Sequence, residues 1–99
     1  MYGLVNVGKL NGKKIIGIKG KILGEVEGIN LDTEKWLVTG LQVGLTNESA
    51  LEAGFKRPAL GQIVVVIPTE MISAVGDFIT LKEAVQDLRD LVEKYVGWR

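Results

Sequence analysis

Glycine residues interrupt the apolar segments of this chain, and their positions limit the kind of sheet it can form. There are 13 glycines among 99 residues. The segment 21–31 is predicted as one long strand that contains Gly24 and Gly28. Its apolar residues do not alternate regularly, since Leu23 and Val26 are three positions apart. Glycine beside such a break is typical of a β-bulge, so we expect sharply bent strands that suit a small barrel better than a flat sheet.

Shorter strands are predicted on both sides of this segment. They are Ile15–Ile18, Trp36–Leu45, Gln62–Ile67 and Asp77–Ile79. A tight turn with Gly20 at positive φ joins the first strand to the long one, and the polar residues 32–35 form a second hairpin turn. Gln62–Ile67 is apolar on both faces, which predicts a strand buried from two sides and ended by Pro68. Residues 70–72 are predicted as a turn or a single helical turn.

Alternation along the strand Trp36–Leu45 divides its side chains between two faces. The inward set is Leu37, Thr39, Leu41, Val43 and Leu45. Trp36 and Val38 then point outward and form a partly apolar surface. We expect either the C-terminal helix or a second subunit to cover that surface.

Two helices are expected. In the first, Ser49 and Glu52 have the spacing of a capping box and Gly54 is the stop. The second is a C-terminal amphipathic helix with its capping box at Thr80 and Glu83 and its stop at Gly97. Its apolar stripe consists of Leu81, Ala84, Leu88, Leu91 and Tyr95. We therefore expect one domain, with a barrel over 1–80 and the helix over 81–99, packed on the barrel or on a second copy.

The residue types present argue against catalysis. The chain has no cysteine and no histidine, so disulfides, thiolate ligands, the commonest metal ligand and the usual general base near neutral pH are all missing. Gly3–Lys9 has the spacing of a phosphate-binding loop, but Leu10 stands where a Ser or Thr would hold Mg²⁺. Glu25 and Glu27 are interpreted as solvated surface charges. We expect no enzyme activity, no cofactor and no metal.

Charge is unevenly distributed although the net charge is zero. The first 24 residues carry lysines and no acid, at Lys9, Lys13, Lys14, Lys19 and Lys21. Residues 25–81 carry mostly acids. The basic segment could bind phosphates of RNA or an acidic partner, or it could pair with the acidic middle of the same chain or of a second copy.

A loop and the C-terminus supply further candidate contacts. Phe55, Lys56 and Arg57 could grip an anionic partner, or Phe55 could fold back and seal the barrel end. Trp98 could fold back onto the helix or anchor a partner. Together with Trp36, Val38, Leu88, Leu91 and Tyr95, these are the candidate partner or dimer contacts. The longest apolar run is too short to span a membrane and a signal peptide pattern is missing, so a cytoplasmic protein is expected.

Several stretches in this order resemble the PRC-barrel family. They are Leu10–Ile16, Gly20–Ile29, Asp32, Ile67–Ile72 and Val75–Leu81. The resemblance implies a small, strongly bent barrel of about six strands that docks onto other proteins or ribonucleoprotein without chemistry. Family settings include the photosynthetic reaction-centre H subunit, the bacterial ribosome maturation factor and stand-alone archaeal proteins linked to cell division, near the FtsZ ring and its SepF anchor.

The chain is most similar in layout to the stand-alone archaeal type. The resemblance therefore implies a protein–protein adaptor, with cell division as its most specific version. The uncovered apolar surface of Trp36, Val38 and the helix stripe further predicts a homodimer. The alternative is an RNA- or ribosome-associated protein that acts in ribosome maturation through its lysine-rich first third.

Overall fold

Strands make up most of the part of the chain that the structure, a computed structural model, describes: residues 6–55, 62–84, 87 and 97–98. The strands are β1 (Lys14–Ile16), β2 (Ile22–Asp32), β3 (Leu37–Leu45), β4 (Ile63–Pro68), β5 (Ile72–Val75), β6 (Phe78–Leu81) and β7 (Gly97–Trp98). The helix α1 (Asn47–Glu52) follows β3, and 3-10 turns cover Val7–Lys9 and Thr69–Met71.

These strands form one sheet in the order β5-β6-β1-β2-β3-β4-β7. β1 and β6 are parallel, and every other neighbouring pair is antiparallel. The first six strands make a curled half-barrel that the two-residue β7 extends at one edge. The predicted mainly β fold with one short loop helix is confirmed.

The bulging predicted for the long strand from its glycine pattern is present on β2, and β3 carries a further bulge that was not predicted. On β2, Glu27 is the extra residue, because Val26 pairs with Val43 and Gly28 pairs with Gln42. On β3 the register also shifts, because Asn30 pairs with Gly40 but the next residue, Leu31, pairs with Val38. Each bulge reverses which face the following side chains point to, and each adds bend and twist to the pair.

The bulge in β3 makes part of the predicted facing wrong. Thr39 is the extra residue, so the inward position passes to Val38, which packs against the core. Leu37 and Thr39 are exposed, whereas the sequence pattern placed both of them inward. Leu41, Val43 and Leu45 point inward as predicted, because regular alternation resumes after the bulge.

The interior of the curled sheet is filled by aliphatic side chains. Ile15, Leu23, Leu41, Ile67, Ile79 and Leu81 are all fully buried. β4 is buried on both faces at its start, at Ile63, Val64 and Val65, as its apolar run predicted. Burial at this scale is the main stabilising contribution to a fold of this size.

The N-cap of helix α1 lies three residues before the predicted one, Ser49. Thr46 is the N-cap and its side-chain oxygen accepts a hydrogen bond from the Ser49 amide at 3.0 Å. The Ser49 hydroxyl, only 2% exposed, instead donates to the carbonyl of Leu23 in β2. Ser49 therefore fastens the helix to the sheet rather than capping it, and Gly54 ends the segment at φ +90° as expected.

The C-terminal helix does not begin where its pattern placed it. Thr80 and Leu81 are the last residues of β6, and Leu81 is fully buried in the core. A capping box at Thr80 is therefore wrong. Residues 85–86 and 88–96, which carry the rest of the predicted stripe, lie outside the described residues. Gly97, predicted as the helix stop, lies in β7 and pairs with Val64.

Two glycines bring the backbones of β2 and β3 unusually close. A Cβ added to Gly24 would lie 2.0 Å from the carbonyl oxygen of Gly44 and 3.1 Å from the Cα of Leu45. Backbone atoms cannot move aside as a flexible side chain can. Glycine is therefore required at this position for the strands to coil around each other.

We expect Gly24→Ala to lower the free energy of unfolding by about 3 kcal/mol or more, because the added methyl group forces two backbones apart. The control is Gly76→Ala, at an exposed glycine whose nearest such contact is 4.0 Å away, which should change stability by less than about 0.5 kcal/mol. Urea unfolding of both variants measures the difference. Equal stabilities would contradict a close approach at Gly24.

Candidate interaction surfaces

The end of the β2–β3 hairpin exposes three large apolar side chains. We call residues 31–37 the hairpin tip. Within it, Leu31 is 44%, Trp36 71% and Leu37 59% exposed. All three lie at the end of the longest hairpin, where Leu31 pairs with Val38 and Asp32 pairs with Leu37. Leu31 therefore shares the face of Val38, which packs on the core, whereas Leu37 lies on the opposite, outer face beside Trp36 in the sequence. An exposed tryptophan next to an exposed leucine is typical of an interaction surface.

A well-defined turn closes the hairpin tip. The Asp32 carboxylate accepts hydrogen bonds from the backbone amides of Glu34 at 2.9 Å and Lys35 at 3.3 Å, within the hairpin turn predicted at residues 32–35. Trp36 then takes a φ of +54°, in the left-handed region. Bulky side chains rarely occupy that region, because Cβ crowds the following carbonyl oxygen.

Acidic residues predominate around the hairpin tip. Asp32 and Glu34 lie in the turn that joins β2 and β3, and this turn also contains one cation, Lys35. Pairing of Gly40 with Pro68 brings the 3-10 turn Thr69–Met71 against β3, and this turn adds the exposed Glu70 at the same end of the sheet. This end of the described structure therefore carries net negative charge.

A second surface is a groove of about 570 Å³ between the β1–β2 turn and helix α1. It is lined by Lys14, Gly20, Lys21, Ile22, Gly24, Glu25, Thr46, Glu48, Ser49 and Glu52. The ammonium group of Lys21 forms an ion pair with Glu52 at 2.5 Å. Glu52 raises the pKa of Lys21 above its ordinary value of 10.5, first by accepting this hydrogen bond and then through its negative charge, with a smaller contribution from Glu48.

The lysine-rich first third makes contacts inside the chain. Lys21 pairs with Glu52, which belongs to the acidic middle of the sequence. The Lys13 ammonium group donates to the carbonyl oxygen of Gly76 at 2.7 Å. For these two lysines the structure therefore supports pairing within the chain, one of the alternatives that the sequence left open.

The two glutamates of β2 lie in different environments. Glu25 is exposed, whereas Glu27, displaced by its bulge, is half-buried with its carboxylate over Gly44. A Cβ on Gly44 would lie 2.1 Å from the Glu27 Oε2. The sequence analysis treated both as solvated charges, and for Glu27 that interpretation is wrong. The glycine opposite was the signal, since its missing side chain makes room for the carboxylate.

Of the predicted contact residues, the structure describes the side chains of Trp36, Val38 and Phe55. Trp36 is exposed as expected, but Val38 packs on the core and Phe55 is buried at 8% exposure, so Phe55 seals the barrel rather than facing a partner. Lys56, Arg57, Leu88, Leu91 and Tyr95 lie outside the described residues. Trp98 is described only as part of β7, where its backbone pairs with Ile63. Leu37 was not among the predicted contacts, because the bulge that exposes it could not be placed from alternation alone.

Other kinds of site were sought in the described residues. Within them, no group of three or more acidic side chains is arranged to hold a metal ion. The helix that they contain is too short to cross a membrane.

Trp36→Gly should be more stable than Trp36→Ala by about 1 kcal/mol, because glycine relieves the left-handed backbone and alanine does not. Both variants remove the same exposed ring, so the comparison isolates the backbone. Thermal unfolding under identical conditions measures it. An alanine variant as stable as the glycine variant would show that the backbone at position 36 is relaxed.

Glu52→Gln should lower the pKa of Lys21 toward 10.5. Because the folded-state pKa is raised, the ion pair stabilises the fold below pH 10.5, and this contribution is lost as the pH rises through the folded-state pKa. NMR titration of the Lys21 side chain measures the shift, with the distant Glu34→Gln as control. An unchanged Lys21 titration in Glu52→Gln would contradict the ion pair.

Comparison with known proteins agrees with this architecture. The family model described as PRC-barrel domain matches residues 3–88. A comparison with curated proteins gives no significant match. The match covers the curled sheet, helix α1 and the strand pair β5–β6, and the family consists of non-catalytic modules that often mediate protein interactions. The chain belongs to the PRC-barrel family.

Proposed function

We propose that this protein is a non-catalytic protein–protein adaptor that works in the cytoplasm. The observation that carries the proposal is the group of exposed apolar side chains at the hairpin tip, in a member of a family that often mediates protein interactions. A binding module needs a firm scaffold and an exposed anchor. The aliphatic core supplies the first and Trp36 supplies the second.

The most specific version of the proposal is an adaptor in archaeal-type cell division, near the FtsZ ring and SepF. It rests on the resemblance to stand-alone archaeal members of the family. A homodimer is also proposed. Because Val38 packs on its own core, support for a dimer now comes from the predicted stripe at Leu88, Leu91 and Tyr95.

Binding of RNA or the ribosome is the alternative function. It relies on the lysine-rich first third, where Lys13 and Lys21 already contact groups of the same chain. Phosphate binding would have to compete with the Lys21–Glu52 pair. The adaptor proposal is therefore favoured.

The adaptor proposal is tested by capture of partners from native cell extract. Tagged wild-type protein should retain a small set of proteins that survive nuclease treatment, and an excess of untagged protein should displace them. Quantitative mass spectrometry identifies the set, and division-ring components would support the specific version. Sedimentation of the purified chain tests the dimer.

Two results would contradict the adaptor. One is capture of ribosomal proteins that disappears after nuclease treatment, with RNA affinity that falls steeply with salt, which would establish the alternative. The other is an extract in which no protein is displaced by the untagged competitor.

A further inference from the structure

We propose that the hairpin tip is the docking site for a protein partner that presents an apolar cleft bordered by lysines or arginines. This inference deepens the proposed function and rests on it. It assigns Trp36 as the anchor, with Leu37 as the neighbouring apolar contact. Three observations carry it: the backbone at Trp36, the exposure of the tip, and the charge around it.

The backbone at Trp36 is the first observation. In the described residues every other position with φ in the left-handed region is a glycine: Gly12, Gly20 and Gly54. Glycine or asparagine at position 36 would close the same turn with less strain. A tryptophan there therefore opposes the local preference of the fold, and such conflicts concentrate at functional sites.

The exposure of the ring is the second observation. Tryptophan is among the residues most enriched at the energetic centres of protein interfaces, because its large, rigid surface is buried at little entropic cost. At 71% exposed, Trp36 has most of that surface still available. The neighbouring Leu37, 59% exposed on the outer face of β3, adds to the apolar area, and the bulged β2–β3 pair holds both residues at one end of the sheet.

Charge around the tip is the third observation, and it selects the class of partner. Asp32, Glu34 and Glu70 outnumber Lys35 and Lys82, whose amide donates to the Met71 carbonyl next to Glu70. Two backbone amides hold the Asp32 carboxylate, so its negative charge is fixed in the turn that leads to Trp36. Nucleic acid and anionic lipid headgroups are repelled by such a rim, whereas a cleft bordered by cations is attracted to it.

The groove beside α1 is a poor receptor for the tip of a second copy. Its acids, Glu25, Glu48 and Glu52, outnumber its lysines, Lys14 and Lys21. One of those lysines is already paired with Glu52. The acidic tip would therefore meet a groove with the same sign of charge, and a foreign partner is favoured over self-association.

The test is a selection from a phage-displayed library of random 16-residue peptides on the immobilised full chain, with counter-selection on Trp36→Gly. Enriched peptides should combine apolar residues with at least two lysines or arginines. In fluorescence anisotropy, Trp36→Gly and Trp36→Ala should each weaken binding of a selected peptide at least about 10-fold. The melting temperature of Trp36→Gly should not fall below that of Trp36→Ala, so loss of binding in it cannot be attributed to unfolding.

A matched control is Phe78→Ser, which removes another exposed aromatic ring, at the start of β6. It should bind the selected peptide as the wild type does. Raised salt should weaken binding by the wild type, because opposite charges contribute to it. Three results would overturn the proposal. The selected peptides could be acidic, they could bind Trp36→Gly as tightly as the wild type, or Phe78→Ser could weaken their binding as much as Trp36→Gly does.

Two further arms separate other occupants of the tip. If the protein sediments with vesicles of anionic phospholipid and Trp36→Gly does not, the tip binds a membrane surface. If the wild type dimerises and Trp36→Gly does not, the tip binds a second copy. Either result overturns the proposal. If proteins captured from extract bind Trp36→Gly as well as they bind the wild type, the adaptor function is supported and the proposed docking site is wrong. If no protein is captured from extract but basic peptides still bind in a way that requires Trp36, the adaptor function is contradicted and the hairpin tip is supported as a binding surface.

Discussion

The contact between the backbones of β2 and β3 at Gly24 and Gly44 is the constraint on which the rest of the structure depends. It exists only because Gly24 has no side chain where its backbone approaches the carbonyl of Gly44. The approach lets the two longest strands coil strongly around each other. Without that coil, β1 and β4 on either side could not curve around a shared interior, and the apolar residues of α1 would have no surface to cover.

Coiling also determines which side chains are left outside. Each bulge on this hairpin reverses the alternation, so Ile29 and Val38 turn toward the core while Leu37 turns away from it. Glu27 is moved over the empty position at Gly44. The same bulges that complete the interior therefore create the apolar tip. Scaffold and interaction surface are two results of a single strand pairing.

Much of the fold could be predicted from the sequence, because local signals and tertiary structure agree there. Gly20 and Gly54 take the conformations that their positions suggested, and the aliphatic run of β4 is buried on both faces. The errors share a physical cause. A bulge is located by the pairing of two strands, so neither strand alone reveals that Thr39 rather than its neighbour is the extra residue. Likewise, Thr80 and Glu83 have the spacing of a helix cap, but pairing of β6 with β1 and β5 outweighs that local preference.

The candidate site was less accessible to sequence reasoning than the fold. Trp36 was singled out as an exposed aromatic, but its left-handed backbone depends on the turn closed by Asp32, and its apolar neighbours depend on the bulge. Phe55 illustrates the opposite case. Beside two cations it has the composition of a binding loop, yet its amide bonds to the Ala50 carbonyl and its ring is buried in the core.

Native-state hydrogen exchange on the isolated chain tests the central claim most directly. Strand β3 pairs with β2 on one side and β4 on the other, so its amides at residues 41–44 are in the middle of the coiled sheet. The account predicts that they exchange only through global unfolding, with the same free energy as urea denaturation gives, while amides in the turn 33–36 exchange through small local openings. Exchange of residues 41–44 at a much lower free energy than global unfolding would contradict a rigid scaffold built on the β2–β3 contact.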